Sequence, residues 1–289
     1  MEAPFEKLET LEVAIGRVLA RNPSPYTYTG TQTYLVGSHE LVVIDPGPDR
    51  PDHVAAVIAA IGGRPVKAIA CTHTHNDHSP ASRALKEATG APIIGCAPLA
   101  LDSDGPRADA AFDPDYAPDE VLDDGQSILF DGGWRLTAVA TPGHTSNHLC
   151  FFMDGNGALF TGDHVMGWST TVVVPPDGDM GAYMDSLRKL RAREDRIFYP
   201  AHGAPVTRPD QYLRGLIGHR MQRERQILGL LAEGVTTIPA IVAAAYPGLD
   251  GRLVGAAGGT VAAHLLDLRA RGLVEEGEGE TWTPSPSNA

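Results

Sequence analysis

The sequence predicts an α/β fold for most of the chain and a smaller, mostly helical domain at its C-terminal end. Short runs of β-branched and other apolar residues alternate with segments whose apolar residues recur at helical spacing. Beyond about residue 207 the strand-like runs give way to long amphipathic stretches. We therefore divide the chain into a first domain at residues 1–206 and a second at residues 207–289.

The first half of the chain supplies the clearest alternation. Strand and helix patterns follow one another at residues 41–45, 51–62, 66–71, 81–90 and 92–95. Ser79 and Pro80 have the residue types of a helix N-cap and a first helical position, so the second helix is expected to begin there. Residues 101–126 are rich in Asp and Pro, which predicts an excursion over the surface.

The second half continues the pattern and then changes it. Strands are predicted at the starts of segments 134–144, 148–153, 158–164 and 196–203, with a helix at 181–194. Helices are predicted at 209–234, 238–245 and 255–271. The last residues indicate a small hairpin and an acidic tail.

Composition limits the classes of partner. The 289 residues carry a formal net charge of −13, which argues against broad binding to duplex DNA or to an anionic membrane. We find neither a signal peptide pattern nor an apolar run long enough to span a bilayer, and we expect a cytoplasmic protein. Three scattered cysteines, Cys71, Cys96 and Cys150, indicate small buried hydrophobes rather than a disulfide framework.

The stretch CTHTHNDHS at residues 71–79 crowds three histidines and an aspartate into six positions. It follows directly on the predicted strand at 66–71, at the kind of strand end where α/β proteins place active sites. Neutral imidazole and carboxylate are ordinary ligands of zinc and similar metals. The cluster therefore predicts metal binding.

Three further predicted strands also end in a residue of ligand type. Together with the cluster, the candidate metal ligands are His73, His75, Asp77, His78, His144, Asp163 and His202. Six terminal ligands and one bridging carboxylate would hold two metal ions about 3.5–4 Å apart. A structural zinc usually has four protein ligands and no open position, so this pattern favours a catalytic site over a regulator with a structural metal.

These elements resemble the metallo-β-lactamase superfamily over roughly residues 15–205. The resemblance implies a four-layer αββα sandwich and a hydrolase with two Zn²⁺ ions, other divalent transition metals being alternatives. It implies that His73, His75 and His144 bind one zinc, that Asp77, His78 and His202 bind the other, and that Asp163 bridges them. It also implies that Asp45, in VVIDPG, supports the site from behind without binding metal.

Four segments of the sequence resemble one beta-lactamase-like subfamily more specifically. They are NPSPYTYTGTQTYLVG, DHSPAS, TPGHTSNHL and YPAHG. That subfamily has a helical, winged-helix-like C-terminal domain, which fits HRMQRERQILGLL and VAAHLLDLRARGLVE. Its animal mitochondrial relative is an endoribonuclease. The chain has Ser-Pro-Ala after Asp77-His78, where Gly-Gly is common in the wider superfamily, and this departure affects the helix start rather than the ligands.

The expected mechanism uses a hydroxide that bridges the two metals as the nucleophile, because the metals lower the pKa of a bound water to about 7. Asp77 can accept or pass on a proton of that water, and His148 and His164 are candidate proton donors to the leaving group. The loop at residues 167–179, with Trp168, and the pair Tyr26 and Tyr28 are candidates for the walls of the cleft.

Two substrate classes stay open. Five arginines within residues 207–225 could form an anion-binding rim, which with the resemblance points to single-stranded RNA. The acidic net charge and the scarcity of aromatics in that stretch favour a small ester, thioester or lactam. The apolar candidate recognition helix and the acidic wing VEEGEGE argue against duplex DNA, so we expect the C-terminal domain to act as a lid or as a homodimer contact.

Overall fold

The structure, a computed structural model, describes residues 3–99 and 112–285. Seven strands form the first sheet in sequential order: β1 (Leu8–Glu12), β2 (Ile15–Leu19), β3 (Gln32–Val36), β4 (Leu41–Ile44), β5 (Val66–Cys71), β6 (Ile93–Gly95) and β7 (Glu120–Val121). Neighbours from β1 to β4 are antiparallel, and neighbours from β4 to β7 are parallel. The carboxyl ends of β4 and β5 therefore lie at the same edge of the sheet.

The second sheet has five strands in the order β12-β11-β10-β9-β8. They are β8 (Ser127–Phe130), β9 (Trp134–Ala140), β10 (Leu149–Asp154), β11 (Ala158–Gly162) and β12 (Ile197–Pro200). Strands β11 and β12 are parallel, so their carboxyl ends also share one edge. The two sheets face each other across the main core, where Tyr34 of the first sheet packs against Phe160 and Tyr199 of the second.

Helices cover the outer faces of both sheets. Helices α1 (Pro51–Ile61) and α2 (Ser82–Thr89) contact the first sheet. Helix α3 (Met180–Arg191) packs Tyr183 and Leu187 against a second core cluster that includes Leu159 and Phe198 of the second sheet. The order helix, sheet, sheet, helix confirms the predicted αββα sandwich.

The C-terminal region consists of three helices and a hairpin. These are α4 (Pro209–Ala232), α5 (Ile238–Ala245), a short 3₁₀ turn (Gly251–Leu253), α6 (Val254–Ala270), β13 (Val274–Glu276) and β14 (Trp282–Pro284). Their own core includes Ile241, Val261, Leu265 and Trp282. The helical, winged-helix-like fold expected here is confirmed.

Helix α4 contributes to two cores. Its first half places Leu213 and Leu216 in the cluster under α3, and its second half places Ile227 and Leu231 in the C-terminal core. The predicted division between residues 206 and 207 falls just before this shared helix and stays a prediction. None of the described helices is long and apolar enough to cross a membrane.

One local expectation is wrong, and a second agrees only in part with the structure. Helix α2 begins at Ser82 with Ala81 before it, because Ser79 and Pro80 still belong to the turn that carries the histidine cluster. Of the expected surface excursion at 101–126, the described residues 112–126 are mostly exposed, but they contain strand β7 and bury Tyr116 and Leu122 in the main core. Residues 100–111 lie outside the described part of the chain.

The three cysteines are free and buried, as expected of small hydrophobes.

Candidate metal centre

Four strand ends bring the seven predicted ligands together at one edge of the sandwich. The turn between β5 and α2 carries His73, His75, Asp77 and His78, β9 leads to His144, β11 to Asp163 and β12 to His202. The ligand atoms form two groups, each with its atoms within 4.8 Å of one another. One group is His73, His75, His144 and Asp163, and the other is Asp77, His78 and His202.

The first group has the spacing of a metal site. His75 Nδ1 lies 3.1 Å from His73 Nε2 and 3.2 Å from His144 Nε2. A tetrahedral zinc with Zn–N bonds of about 2.0–2.1 Å would separate its nitrogen ligands by roughly 3.3 Å. Both distances from His75 Nδ1 are therefore close to the separation that one metal ion requires.

The second group is equally compact but mixes charge types. Asp77 Oδ2 lies 3.3 Å from His78 Nε2 and 3.2 Å from His202 Nε2. One carboxylate oxygen and two imidazole nitrogens are a suitable donor set for a second zinc or a similar divalent ion.

Asp163 touches both groups. Its Oδ1 lies 3.2 Å from His202 Nε2, and its Oδ2 lies 3.6 Å from His78 Nε2 and 3.7 Å from His144 Nε2. Asp163 Oδ1 and His78 Nε2 are buried, yet neither finds a well-aligned hydrogen-bond partner among the described residues. Close approach without hydrogen-bond alignment is what a set of ligands facing a common cation shows, so the residues fit the metals that the sequence predicts.

Asp45 supports the cluster from behind. One of its carboxylate oxygens accepts hydrogen bonds from the Thr72 backbone N–H, at 2.8 Å, while the other accepts from Thr72 Oγ1 at 2.9 Å and lies 3.1 Å from His78 Nδ1. Thr72 Oγ1 in turn lies 3.0 Å from His73 Nδ1. Bonds of this kind fix the tautomer and the ring orientation of a ligating histidine. Asp45 has a positive φ of 48°, a conformation that costs free energy and is held here by these contacts.

Further partners of the ligands are long-range and were missed by sequence reasoning. His144 Nδ1 donates to the Val172 carbonyl at 2.6 Å, and His202 Nδ1 lies 3.2 Å from the Gly30 carbonyl. Thr31 Oγ1 donates to Asp77 Oδ2 at 2.9 Å. These groups come from loops distant in sequence, so a motif search along the chain carries no signal for them.

The electrostatics keep the first group in metal-binding form and act differently on the second. Burial and the neighbouring histidines lower the pKa of His73 well below its usual value, and burial together with His75 lowers the pKa of His144 to about 4. Burial opposes ionisation of Asp163, but His202 and His78 outweigh it and lower the pKa of that carboxyl well below its usual range. Neutral imidazole and ionised carboxylate are the forms that bind a metal.

In the second group, burial lowers the pKa of both histidines, but the carboxylates of Asp77 and Asp163 outweigh it. They raise the pKa of His78 well above its usual value and that of His202 to about 10. A metal ion bound there therefore displaces protons.

His148 and His164 lie behind the ligands and not on the surface of the cleft. His148 is 1% exposed, and its Nε2 accepts the backbone N–H of Asp163 at 3.2 Å while its Nδ1 lies 2.9 Å from Thr141 Oγ1. His164 is fully buried against Tyr183. His148 is thus placed to orient Asp163, and a proton-transfer role for either histidine stays a prediction.

A cleft of about 240 Å³ opens over the cluster. Its lining combines ligands from both groups with Tyr26, Met166 and Val172. Tyr28 and Trp168 stack on each other nearby, with ring centroids 4.9 Å apart and an interplanar angle of 15°. The structure therefore brings the expected wall residues from the N-terminal loop and from the loop after β11 together.

Two of the five arginines of residues 207–225 do not lie on the exposed rim that the sequence suggested, whereas Arg208, Arg214 and Arg225 are exposed. Arg220 is only 3% exposed and donates to the Thr171 carbonyl, and Arg223 lies over the Tyr246 ring at 3.9 Å. Arg214 is exposed but pairs with Asp210. Packing of α4 against its neighbours and the loop after β11 turns Arg220 and Arg223 inward, which a single helix pattern does not reveal.

Comparison with known proteins agrees with this geometry. Residues 26–202 match the metallo-beta-lactamase superfamily, and residues 237–282 match the beta-lactamase associated winged helix domain. An atrochrysone carboxyl ACP thioesterase of Aspergillus chevalieri is 34% identical over 236 residues, covering 80% of this chain and 70% of that protein. A beta-lactamase-like protein 2 homolog of Caenorhabditis elegans is 32% identical over 233 residues, covering 79% of this chain and 74% of that protein.

Solved structures show the same fold. A metallo-beta-lactamase family protein of Thermus thermophilus superposes with a TM-score of 0.77 at 23% identity, covering 95% of this chain and all of that one. A beta-lactamase domain protein of Burkholderia ambifaria gives a TM-score of 0.80 at 18% identity, covering 99% of this chain and 95% of that one. On the sequence matches and the seven converging ligands together, this chain belongs to the metallo-beta-lactamase superfamily and carries the winged-helix domain associated with it.

Proposed function

We propose that the protein is a hydrolase of small acyl substrates, with a thioester as the first candidate, and that two zinc ions occupy the two ligand groups. The observation that carries the proposal is Asp163, whose two carboxylate oxygens reach ligands of both groups at the floor of a cleft. A carboxylate shared in this way suits a pair of metals rather than a single structural ion.

When bound, two divalent ions supply an acidified water and stabilise negative charge on the scissile group. Other residues of the chain hold the metal ligands in the orientation that this chemistry requires. Asp45 and Thr72 hold the imidazoles of His78 and His73, and Thr31 holds the carboxylate of Asp77. Asp77 lines the cleft with 18% of its side chain exposed, so its carboxylate is placed to take up a proton from the attacking water.

The shape of the cleft favours a small acyl group. A volume of about 240 Å³ is at or below the small end of the range of ligand sites, about 300–1,000 Å³, and its wall is largely apolar. The relatives named as atrochrysone carboxyl ACP thioesterases, from several fungi, support a thioester as the bond that is cut. The buried position of Arg220 removes one cation from the basic track that an RNA strand would need.

The experiment is a substrate panel on zinc-loaded protein. We expect a small thioester to be hydrolysed, with weaker turnover of lactone and lactam, and we expect a chelator to abolish the activity. Single-stranded RNA is the competing substrate in the same panel. Chelator-sensitive cleavage of RNA without any acyl turnover would replace this proposal with the endoribonuclease alternative.

A further inference from the structure

A second cavity lies between the catalytic sandwich and the C-terminal helices. Its volume is about 360 Å³, and its walls come from α4, α6 and the loop after β11. It shares Tyr26, Met166 and Val172 with the metal cleft, so the two cavities adjoin. The hydroxyl of Tyr26 also reaches the Arg252 carbonyl at 3.3 Å, which ties the N-terminal loop to the C-terminal domain over this space.

Two guanidinium groups line the second cavity. Arg220, 3% exposed, donates through Nη2 to the Thr171 carbonyl, and its guanidinium lies 5.2 Å from the centre of the Tyr183 ring. Arg223 is half-buried, and its Nη1 donates to the Ala245 carbonyl at 2.6 Å and to Gln226 Oε1 at 2.7 Å. Its guanidinium lies 3.9 Å from the centre of the Tyr246 ring. The Nε–H of each arginine is buried and has no hydrogen-bond partner among the described residues. Each side chain therefore has one N–H that no other group of the described residues satisfies.

The positive charge of this pair is also not balanced. Neither arginine takes part in an ion pair within residues 3–99 and 112–285, and the cavity lining contains no Asp or Glu. On the outside of the same helix, by contrast, Arg214 pairs with Asp210 and Glu224 with Arg271. A buried cation without a counter-charge is costly unless a ligand supplies that charge.

Neighbouring histidines respond to the same charge. Burial, together with Arg220 and Arg223, lowers the pKa of His264 to about 3 and lowers the pKa of His219 as well. Both histidines therefore stay neutral at neutral pH, and the two arginines remain the cations of this cavity.

We propose that the second cavity is an anion subsite, in which Arg220 and Arg223 bind a carboxylate or phosphate group carried by the substrate away from its scissile bond. Arginine suits this task because it stays charged and its N–H groups match the oxygens of such an anion. The inference rests on the proposed function, since it assigns the two cavities to two ends of one substrate. The preferred substrate is then a thioester whose acyl or thiol part ends in an oxyanion.

The first test measures binding and does not depend on turnover. Zinc-loaded full-length protein is titrated calorimetrically with adipate and, separately, with propyl phosphate, as wild type, Arg223→Gln and Arg225→Gln. Arg225 is an exposed arginine of the same helix that does not line the cavity, so its variant is the matched control. Binding at the metal ions contributes equally to all three proteins.

We expect Arg223→Gln to weaken binding of at least one of the two anions by tenfold or more and Arg225→Gln to leave it unchanged. Loss for adipate identifies a carboxylate subsite, and loss for propyl phosphate identifies a phosphate subsite. No binding by the wild type, or equal affinity in all three proteins, would overturn the proposal. Arg220→Lys is a second variant, which keeps the charge but removes the Nε donor, and its melting temperature shows whether it folds.

A kinetic test separates this inference from the proposed function. It compares an adipoyl thioester with the same thioester ending in a carboxamide. We expect Arg223→Gln to lower the ratio of kcat/KM for the anionic substrate to that for the neutral one about tenfold, and Arg225→Gln to leave this ratio unchanged. Anion binding that needs Arg223, without hydrolysis of either thioester, would refute the proposed function and keep the subsite. Hydrolysis of both thioesters, with no effect of Arg223→Gln on anion binding or on kcat/KM, would refute the anion subsite and keep the proposed function.

Discussion

The metal cleft and the cavity between the domains share a wall, but they are built from different kinds of structure. The ligands of the cleft follow the ends of β5, β9, β11 and β12, whose hydrogen bonds to neighbouring strands fix the backbone. The second cavity is lined by helix side chains and by a loop, and it exists only where α4 and α6 pack against the sandwich. The candidate metal ligands thus follow strand ends, whereas the wall of the second cavity is formed by helices and a loop.

The two regions are nevertheless joined by adjacent peptide groups. The Thr171 carbonyl accepts from Arg220 on the side of the second cavity, and the Val172 carbonyl accepts from His144 in the first ligand group. Thr171 Oγ1 donates to the Asp163 carbonyl at 2.6 Å. The loop after β11 therefore contacts candidate metal ligands on one side and the subsite residue Arg220 on the other. The roles of the two regions can be separated by substitutions that affect only one of them.

The largest effect is expected from Asp163→Ala, which should remove at least one metal ion from the cleft and leave the second cavity intact. Removing a partner that only supports a metal ligand costs about 10–100-fold in affinity or activity, so removing the carboxylate shared by both groups should cost more than about 100-fold. We expect two metal ions per chain in the wild type and at least one fewer in the variant, measured by elemental analysis. A wild type with a single tightly bound ion would contradict the bridging arrangement.

Asp45→Asn should have the second-largest effect. The carboxylate touches no cleft surface but holds Thr72 and His78 Nδ1 in place, so the ligand geometry loosens while the ligand count stays the same. We expect metal affinity or kcat to fall about 10–100-fold. Competition with a chromogenic chelator measures the affinity, and Asp52→Asn, an exposed position at the start of α1, is the control that should leave it unchanged. An unaltered metal affinity in Asp45→Asn would show that metal binding does not depend on the contact between the Asp45 carboxylate and His78 Nδ1.

The difference between the metal cleft and the second cavity also explains which features could be predicted from the sequence. Strand β5 occupies the predicted residues 66–71, and all seven predicted ligands meet, because ligand types at strand ends form a local signal. The supporting Thr31 and Val172 left no such signal, since their roles depend on contacts between segments far apart in sequence. Arg220 was expected on a basic surface, and only the packing of α4 against its neighbours shows that it is buried.

A smaller effect is expected at the aromatic pair near the cleft. Trp168 lines the second cavity and stacks on Tyr28 of the N-terminal loop, so Trp168→Ala removes part of a wall and no ligand. An aromatic contact of this kind is worth about 0.5–1.5 kcal/mol, which corresponds to a rise in KM of roughly two- to tenfold. Steady-state kinetics should show this change with kcat and metal content unaltered. A loss of metal in Trp168→Ala would mean that the loop after β11 is needed to hold the metal ligands in place as well as to form the wall of the second cavity.

The last prediction is that the protein does not bind duplex DNA selectively. The hairpin β13–β14, which would serve as a wing, carries exposed Glu275 and Glu278, which repel phosphate. At the end of α6, Arg269 pairs with Glu276, and Arg271 pairs with Glu224 and Asp267. A helix whose cations are already paired has few charges left to release counterions from DNA.

Full-length protein titrated into labelled duplexes of different sequence should therefore give no selective binding at 50 or at 200 mM salt, as followed by fluorescence anisotropy. A protein that contacts 6–10 phosphates would lose about 10³–10⁵-fold in affinity between those two salt concentrations. A duplex bound selectively and with such a dependence would show that the C-terminal helices read DNA. The C-terminal helices would then have a second role beside that of a cavity wall, and Arg223→Gln would show whether DNA binding and anion binding depend on the same residue.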